Sequence, residues 1–98
     1  MNSAREDLLT KLKDLKPYLR TRYHVQEIGL FGSFARAEQT TTSDVDILVD
    51  FAEDASLFDL VGLERFLTER LGRKVDVVSR GALKEELRSP ILQEVVLL

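Results

Sequence analysis

Several residue types and patterns are missing from this 98-residue chain. It contains no cysteine and no tryptophan. The lack of cysteine excludes disulfides, zinc sites built on thiolates and thiol nucleophiles. No apolar run approaches the roughly 18 residues of a membrane-spanning helix, and the N-terminus lacks the apolar stretch of a signal peptide. We therefore expect no membrane partner and a cytoplasmic location.

Positive charge is also in short supply. Lysine and arginine number 14 against 17 aspartates and glutamates, so the formal net charge is −3. No basic patch dominates the sequence, and direct nucleic-acid binding is not expected. The apolar fraction of 44% and the charged fraction of 32% are ordinary for a globular protein. The length is that of one small domain, and the sequence predicts a single domain over residues 1–98.

The most informative pattern is a Gly-Ser pair followed, after ten residues, by two aspartates with one residue between them. These are Gly32-Ser33 and Asp44-Val45-Asp46. Side chains alternate along a β-strand, so Asp44 and Asp46 would share a face with Cα atoms roughly 6.5–7 Å apart. Mg²⁺ is usually held by one or two carboxylates plus substrate phosphates. A turn such as Gly32-Ser33 offers N–H groups and a hydroxyl to phosphate oxygens.

The strand that carries these aspartates separates apolar and acidic side chains. One face would hold Val45, Ile47, Val49 and Phe51, whereas the other would hold Asp44, Asp46, Leu48 and Asp50. Clustered carboxylates repel one another, and a bound cation removes that cost. A Gly-Ser turn or an Asp-X-Asp strand edge is common by itself. The two together favour a metal-assisted nucleotide site.

The rest of the chain predicts alternating helices and strands. Strands are predicted over residues 25–31, 44–51 and 74–79. Ser3 is the expected N-cap of a first helix that Pro17 ends or kinks. A second helix is expected from Ser56 to a glycine cap at Gly72. Two short helices are expected at the C-terminus, over residues 82–88 and from Ser89-Pro90 onward.

The stretch from Leu30 to Phe51 resembles the signature of the DNA polymerase β nucleotidyltransferase superfamily, and most closely that of its minimal nucleotidyltransferases. That signature is a hydrophobic strand, Gly-Ser, about ten residues and Asp-X-Asp, with a third carboxylate on a later strand. Asp76 in "RKVDVVS" offers the third carboxylate. Ala37 departs from the pattern, because the family often has glycine there. The resemblance implies an α/β, polymerase β-like fold, a small mixed sheet with helices mainly on one face.

The resemblance also implies roles for the motif residues. Asp44 and Asp46 would hold two Mg²⁺ ions, and Asp76 would hold the catalytic one and could accept a proton from the attacking hydroxyl. The triphosphate of ATP would be bound by Gly32, Ser33 and Arg36. Arg36 follows Ser33 by one helical turn, so its planar guanidinium would face the same cleft.

Minimal members of this family are paired with small HEPN ribonucleases in toxin–antitoxin modules. By that resemblance, the chain is an antitoxin that transfers AMP from ATP to a tyrosine of a HEPN toxin. Two alternatives stay open at this point. The chain could be an antitoxin that blocks its toxin by binding alone, or a nucleotidyltransferase that acts on a small molecule or a nucleic-acid end.

Overall fold

The computed structural model describes residues 4–40 and 42–98. Its helices and strands follow in the order α1 (Ala4–Tyr23), β1 (Val25–Phe31), β2 (Val45–Phe51), α2 (Leu57–Leu71), β3 (Val75–Ser79), a 3₁₀ turn (Arg80–Ala82), α3 (Glu85–Glu94) and β4 (Val96–Leu97). Ser3, the expected N-cap of the first helix, lies outside these ranges. Within them, no helix is both long enough and apolar enough to cross a membrane.

The four strands form one sheet in the order β3-β2-β1-β4. Strands β2 and β3 run parallel, whereas β1 is antiparallel to both β2 and β4. Helices α1 and α2 pack against each other and cover one face. The α/β class and the mixed sheet are therefore as predicted from the sequence.

The core lies between the sheet and the first two helices. Its completely buried side chains are Leu12, Leu19, Ile28, Leu30, Val45, Ile47, Val49, Leu63 and Leu67. The alternation of β2 explains the strand contribution, because every second residue from Val45 points to this face. Each such side chain stabilises the fold by about 1.5–3 kcal/mol relative to an exposed position.

The opposite face of the sheet is only partly open. Leu48 shares this face with Asp46 but is only 4% exposed. It lines a cavity of about 230 Å³ together with Leu92, Val95 and Leu97. The C-terminal segment therefore covers the middle of this face, and Asp44, Asp46 and Asp76 lie half-buried at its end.

The prediction of two short C-terminal helices was wrong. One helix, α3, runs from Glu85 to Glu94 with Pro90 inside it, and the chain then forms β4. Proline normally disfavours a helix interior. Here the last turn of α3 is held by side-chain contacts of Glu94 and by the pairing of β4 with β1, which local sequence patterns do not reveal.

Gly29 makes room for this C-terminal segment. A Cβ atom on Gly29 would lie 2.5 Å from Cγ2 of Val95, closer than any real contact. Gly29 is also the register partner of Leu97 in β4. Helix α1 continues past Pro17 to Tyr23, so Pro17 does not end this helix.

Helix α2 supplies hydrogen-bond acceptors to the backbone N–H groups on the outer edge of β3. The Val75 N–H donates to Thr68 Oγ1 and the Val77 N–H donates to Glu64 Oε2, each at 3.1 Å. An edge strand presents unpaired backbone groups, and these two side chains supply acceptors for them. They hold β3 in place on either side of Asp76, the residue between the two valines.

We expect Thr68→Val to destabilise the fold by about 1–3 kcal/mol, because it keeps the side-chain shape but leaves the Val75 N–H without its acceptor. Chemical denaturation measures the change in the free energy of unfolding. Thr68→Ser keeps the hydroxyl and serves as the control. Equal stability of the valine and serine variants would contradict a role for this hydrogen bond.

Candidate active site

The Gly-Ser pair lies in a single helical turn that follows β1. In this turn the Glu38 N–H donates to the Ser33 carbonyl at 2.8 Å, and the Ala37 N–H donates to the Phe34 carbonyl at 3.3 Å. These two nested bonds are those of a Schellman motif, which closes a helix with a left-handed residue. Ala37 takes that position with φ 58°. Glycine suits this conformation, whereas alanine is strained in it.

The turn is anchored in the core by Phe34. This residue follows Ser33 and is 1% exposed within the main hydrophobic cluster. The guanidinium of Arg73 lies over its ring at 5.2 Å from the ring centre. Because Phe34 is held from both sides, the backbone N–H groups of the turn have a defined position at the end of β1.

Gly32 brings this turn against an aspartate of the neighbouring strand. Phe31 is the register partner of Asp46, so the next residue, Gly32, lies beside the Asp46 side chain. A Cβ atom on Gly32 would collide with Oδ2 of Asp46. Gly32 also has φ +76°, in the left-handed region that favours glycine. Both the backbone conformation and the close approach therefore require glycine at this position.

Asp44, Asp46 and Asp76 form what we call the carboxylate cluster. Asp46 and Asp76 are register partners on parallel strands, which lie about 4.8 Å apart in a sheet. Asp44 immediately precedes β2, and its Oδ2 lies 3.9 Å from Lys74 Nζ. Partial burial, and then the charges of Asp76 and Asp44, raise the pKa of Asp46 above its ordinary value. The three carboxylates therefore interact electrostatically on one face.

The chemistry of the cluster fits a hard cation. In residues 4–40 and 42–98, no three histidine, cysteine or acidic side chains are gathered closely enough to hold a metal ion by themselves. Mg²⁺ does not require such a cage, because it usually takes one or two protein carboxylates, water and substrate phosphates. Asp46 and Asp76, adjacent across two strands, are such a pair. The residues fit an ion that binds together with a nucleotide.

Arg36 and Gly32 share an acidic partner that the sequence did not reveal. Arg36 Nη1 lies 3.1 and 3.2 Å from the two carboxylate oxygens of Glu94, and the Gly32 N–H donates to Glu94 Oε1 at 2.9 Å. Arg36 Nε also lies 3.4 Å from Glu38 Oε1. Glu94 belongs to no motif and lies far along the chain from the Gly-Ser turn. Only the packing of α3 brings it to the site.

All six residues singled out in the sequence lie at one end of the sheet. The end of β1 and the beginnings of β2 and β3 meet there. The six residues are Gly32, Ser33, Arg36, Asp44, Asp46 and Asp76. The Gly-Ser turn therefore lies beside the carboxylate cluster. Their roles in nucleotide binding, metal binding and proton transfer stay predictions.

A mixed sheet with such a turn beside clustered carboxylates is the arrangement of a nucleotidyltransferase. The chain belongs to the nucleotidyltransferase domain family, whose model matches residues 12–98. It is similar to the protein adenylyltransferase MntA of Thermococcus cleftensis, with 45% identity over 91 residues. The match covers 93% of this chain and 92% of that protein. The family and the enzyme class inferred from the sequence are thus confirmed.

Solved structures agree with the fold. A minimal nucleotidyltransferase structure matches with a TM-score of 0.84 and 35% identity, covering 96% of this chain and 95% of the other. A toxin–antitoxin crystal structure with AMP-PNP matches with a TM-score of 0.72 and 24% identity. The match covers 87% of this chain and 70% of the other. At that lower identity the second likeness concerns the fold alone.

Replacement of Gly32 tests the close approach to Asp46. Gly72, at the end of α2, has a similar φ of +68° but open space around a built Cβ. We expect Gly72→Ala to cost about 1–2 kcal/mol of stability from backbone strain. Gly32→Ala should cost a further 1–3 kcal/mol or so, because the added methyl displaces the Asp46 carboxylate. Denaturant unfolding measures both, and equal losses would contradict the proposed collision.

The raised pKa of Asp46 predicts a pH-dependent stability. In the unfolded chain this carboxyl titrates near about 3.9, so the folded protein holds the proton to higher pH. The Asp46 carboxyl therefore stabilises the fold at pH values below its unfolded pKa. This stabilisation is lost as the pH rises through its pKa in the folded protein. We expect Asp46→Asn to be more stable than wild type at pH 7, with the difference shrinking below about pH 4. Denaturation at both pH values measures this, and a less stable variant at pH 7 would refute it.

Proposed function

We propose that this nucleotidyltransferase transfers AMP from ATP to a tyrosine hydroxyl of a HEPN ribonuclease toxin and thereby acts as its antitoxin. The observation that carries the proposal is the meeting of the Gly-Ser turn and the carboxylate cluster at one end of the sheet. The relative from Thermococcus cleftensis is named a protein adenylyltransferase, which supports a protein substrate.

The turn would bind the triphosphate. The Gly32 N–H and the Ser33 hydroxyl are donors for the β- and γ-phosphates, and the Arg36 guanidinium adds a planar, charged fork. Phe34 holds these donors in place from the core side. The triphosphate would therefore extend from the turn toward the carboxylates.

The carboxylates would serve the transfer itself. Asp44, Asp46 and Asp76 would hold two Mg²⁺ ions, which when bound neutralise triphosphate charge and lower the pKa of the attacking hydroxyl. The tyrosine oxygen forms a bond to the α-phosphorus, and the bond from that phosphorus to the bridging oxygen breaks. Pyrophosphate leaves with that oxygen, and Asp76 accepts the tyrosine proton as general base.

Charge favours a protein acceptor over a nucleic acid. The net charge of −3 does not attract a polyanionic template. A toxin–antitoxin structure of similar fold contains a protein also named MntA together with HpeT. That shared name supports a toxin as acceptor here, and the HEPN class and the tyrosine follow the family resemblance. The reaction consumes ATP, and a cytoplasmic location is part of the proposal.

Substoichiometric inactivation tests this function. We expect a small amount of the chain, with ATP and Mg²⁺, to silence a molar excess of the toxin encoded beside it. Mass spectrometry should show one or more added AMP groups on tyrosine, and the toxin should stay silent after the chain is removed. Asp44→Asn with Asp46→Asn should abolish transfer, because it removes the proposed metal ligands. Circular dichroism should show an intact fold, because asparagine keeps the side-chain shape and relieves the repulsion between the carboxylates.

The alternatives have different outcomes in the same assay. A binding-only antitoxin requires a one-to-one amount, works without ATP and leaves the toxin's mass unchanged. If the true substrate is a small molecule or a nucleic acid, that substrate would receive AMP from ATP and the toxin would not. Full protection by the double variant at equal concentration would refute adenylyl transfer as the means of neutralisation.

A further inference from the structure

The carboxylate of Glu94 lies where the proposed phosphate donors point. It accepts a hydrogen bond from the Gly32 N–H and pairs through both oxygens with Arg36. Gly32 and Arg36 are two of the three residues to which the triphosphate is assigned above. A carboxylate and a phosphate both offer several acceptor oxygens to an N–H group and a guanidinium fork. One set of donors therefore faces two possible anions.

The position of Glu94 in its helix is unfavourable without these contacts. It is the last residue of α3, where the helix dipole places partial negative charge. The side chain is 28% exposed, so it is held at the turn and not extended into water. The Gly32 N–H and Arg36 supply the compensating positive potential. The site thus attracts an anion strongly enough to recruit one from the chain itself.

We propose that Glu94 occupies the phosphate subsite of the nucleotide-free protein, and that a nucleotide binds by displacing this carboxylate with its terminal phosphates. The inference rests on the proposed function, because it concerns the nucleotide of that reaction. Glu94 then acts as a specificity residue. A triphosphate carries enough charge to displace it, whereas a nucleoside without phosphates gains nothing from its removal.

Glu38 provides a matched control on the same arginine. Its Oε1 lies 3.4 Å from Arg36 Nε, and its side chain is 65% exposed. Its backbone N–H belongs to the Schellman motif, which a side-chain substitution retains. Glu38→Gln therefore removes one carboxylate from Arg36 and leaves the bond from Glu94 to Gly32 in place. Comparing Glu38→Gln with Glu94→Gln therefore distinguishes a general loss of negative charge near Arg36 from the removal of the Glu94 carboxylate from the phosphate subsite.

The experiment compares wild type, Glu94→Gln and Glu38→Gln by calorimetric titration with ATP plus Mg²⁺, with inorganic tripolyphosphate and with adenosine. We expect Glu94→Gln to tighten the binding of ATP and of tripolyphosphate by roughly two- to fivefold, the effect of one partly exposed ion pair. Adenosine binding should not change in any variant. Glu38→Gln should bind all three ligands as the wild type does.

A second measurement uses the unmodified protein, so it does not depend on how a variant folds. In an NMR titration with tripolyphosphate, the Gly32 amide and the Glu94 carboxyl carbon should shift with the same midpoint. A shift of Gly32 without any shift of Glu94 would overturn the proposal. So would unchanged or weaker ATP binding by Glu94→Gln.

The two proposals fail in distinguishable ways. If wild type transfers AMP to the toxin but Glu94→Gln binds ATP no more tightly, only the role of Glu94 is wrong. If wild type binds neither ATP nor tripolyphosphate, the proposed function is wrong, and the role of Glu94 is wrong with it.

Discussion

The carboxylate of Asp46 lies directly against Gly32, where β1 ends and the turn begins. This contact exists because antiparallel pairing places Phe31 opposite Asp46 and because Gly32 has no side chain. It joins two chemically different parts, backbone donors that suit phosphate oxygens and carboxylates that suit a cation. The rest of the fold holds this junction: Phe34 anchors the turn, and α2 holds β3 at the outer edge.

The clustering of like charges at this end of the sheet works against stability. Asp46 is partly buried beside Asp76 and Asp44, and its raised pKa records that cost. Arg36 offsets part of it, because its charge lowers the same pKa. Lys74 Nζ lies 3.9 Å from Asp44 Oδ2. Proteins commonly give up some stability at sites whose function needs such strained electrostatics.

The C-terminal segment links this site to the far end of the chain. Glu94 contacts the turn, and the next residues pair as β4 with β1 beside Gly29. A displacement of the Glu94 carboxylate would therefore disturb the packing where α3 meets the sheet. The turn that Glu94 contacts is the Schellman turn, in which Ala37 has a left-handed conformation. The Gly32 N–H and the Arg36 guanidinium, which we propose as phosphate donors, thus contact the last residue of α3.

Local patterns determined much of the structure. The alternation from Val45 onward indicated the core face of β2, and Gly72 ends α2 as its type predicts. The predicted start of α2 at Ser56 is also present, and the Ser56 N–H donates to Asp59 Oδ2 as in a capping box. These features depend on residues within one or two turns of each other, so the sequence alone contains their cause.

Contacts between distant residues had to come from the tertiary structure. The order of Gly32 and Asp46 in the chain indicated a nucleotide site, but only the strand register places one against the other. The burial of Leu48 and the pairing of Glu94 with the turn depend on where the C-terminal segment packs. Periodicity reports which face of an element is apolar. It does not report which distant side chain fills the space beside it, because that depends on the packing of all the elements together.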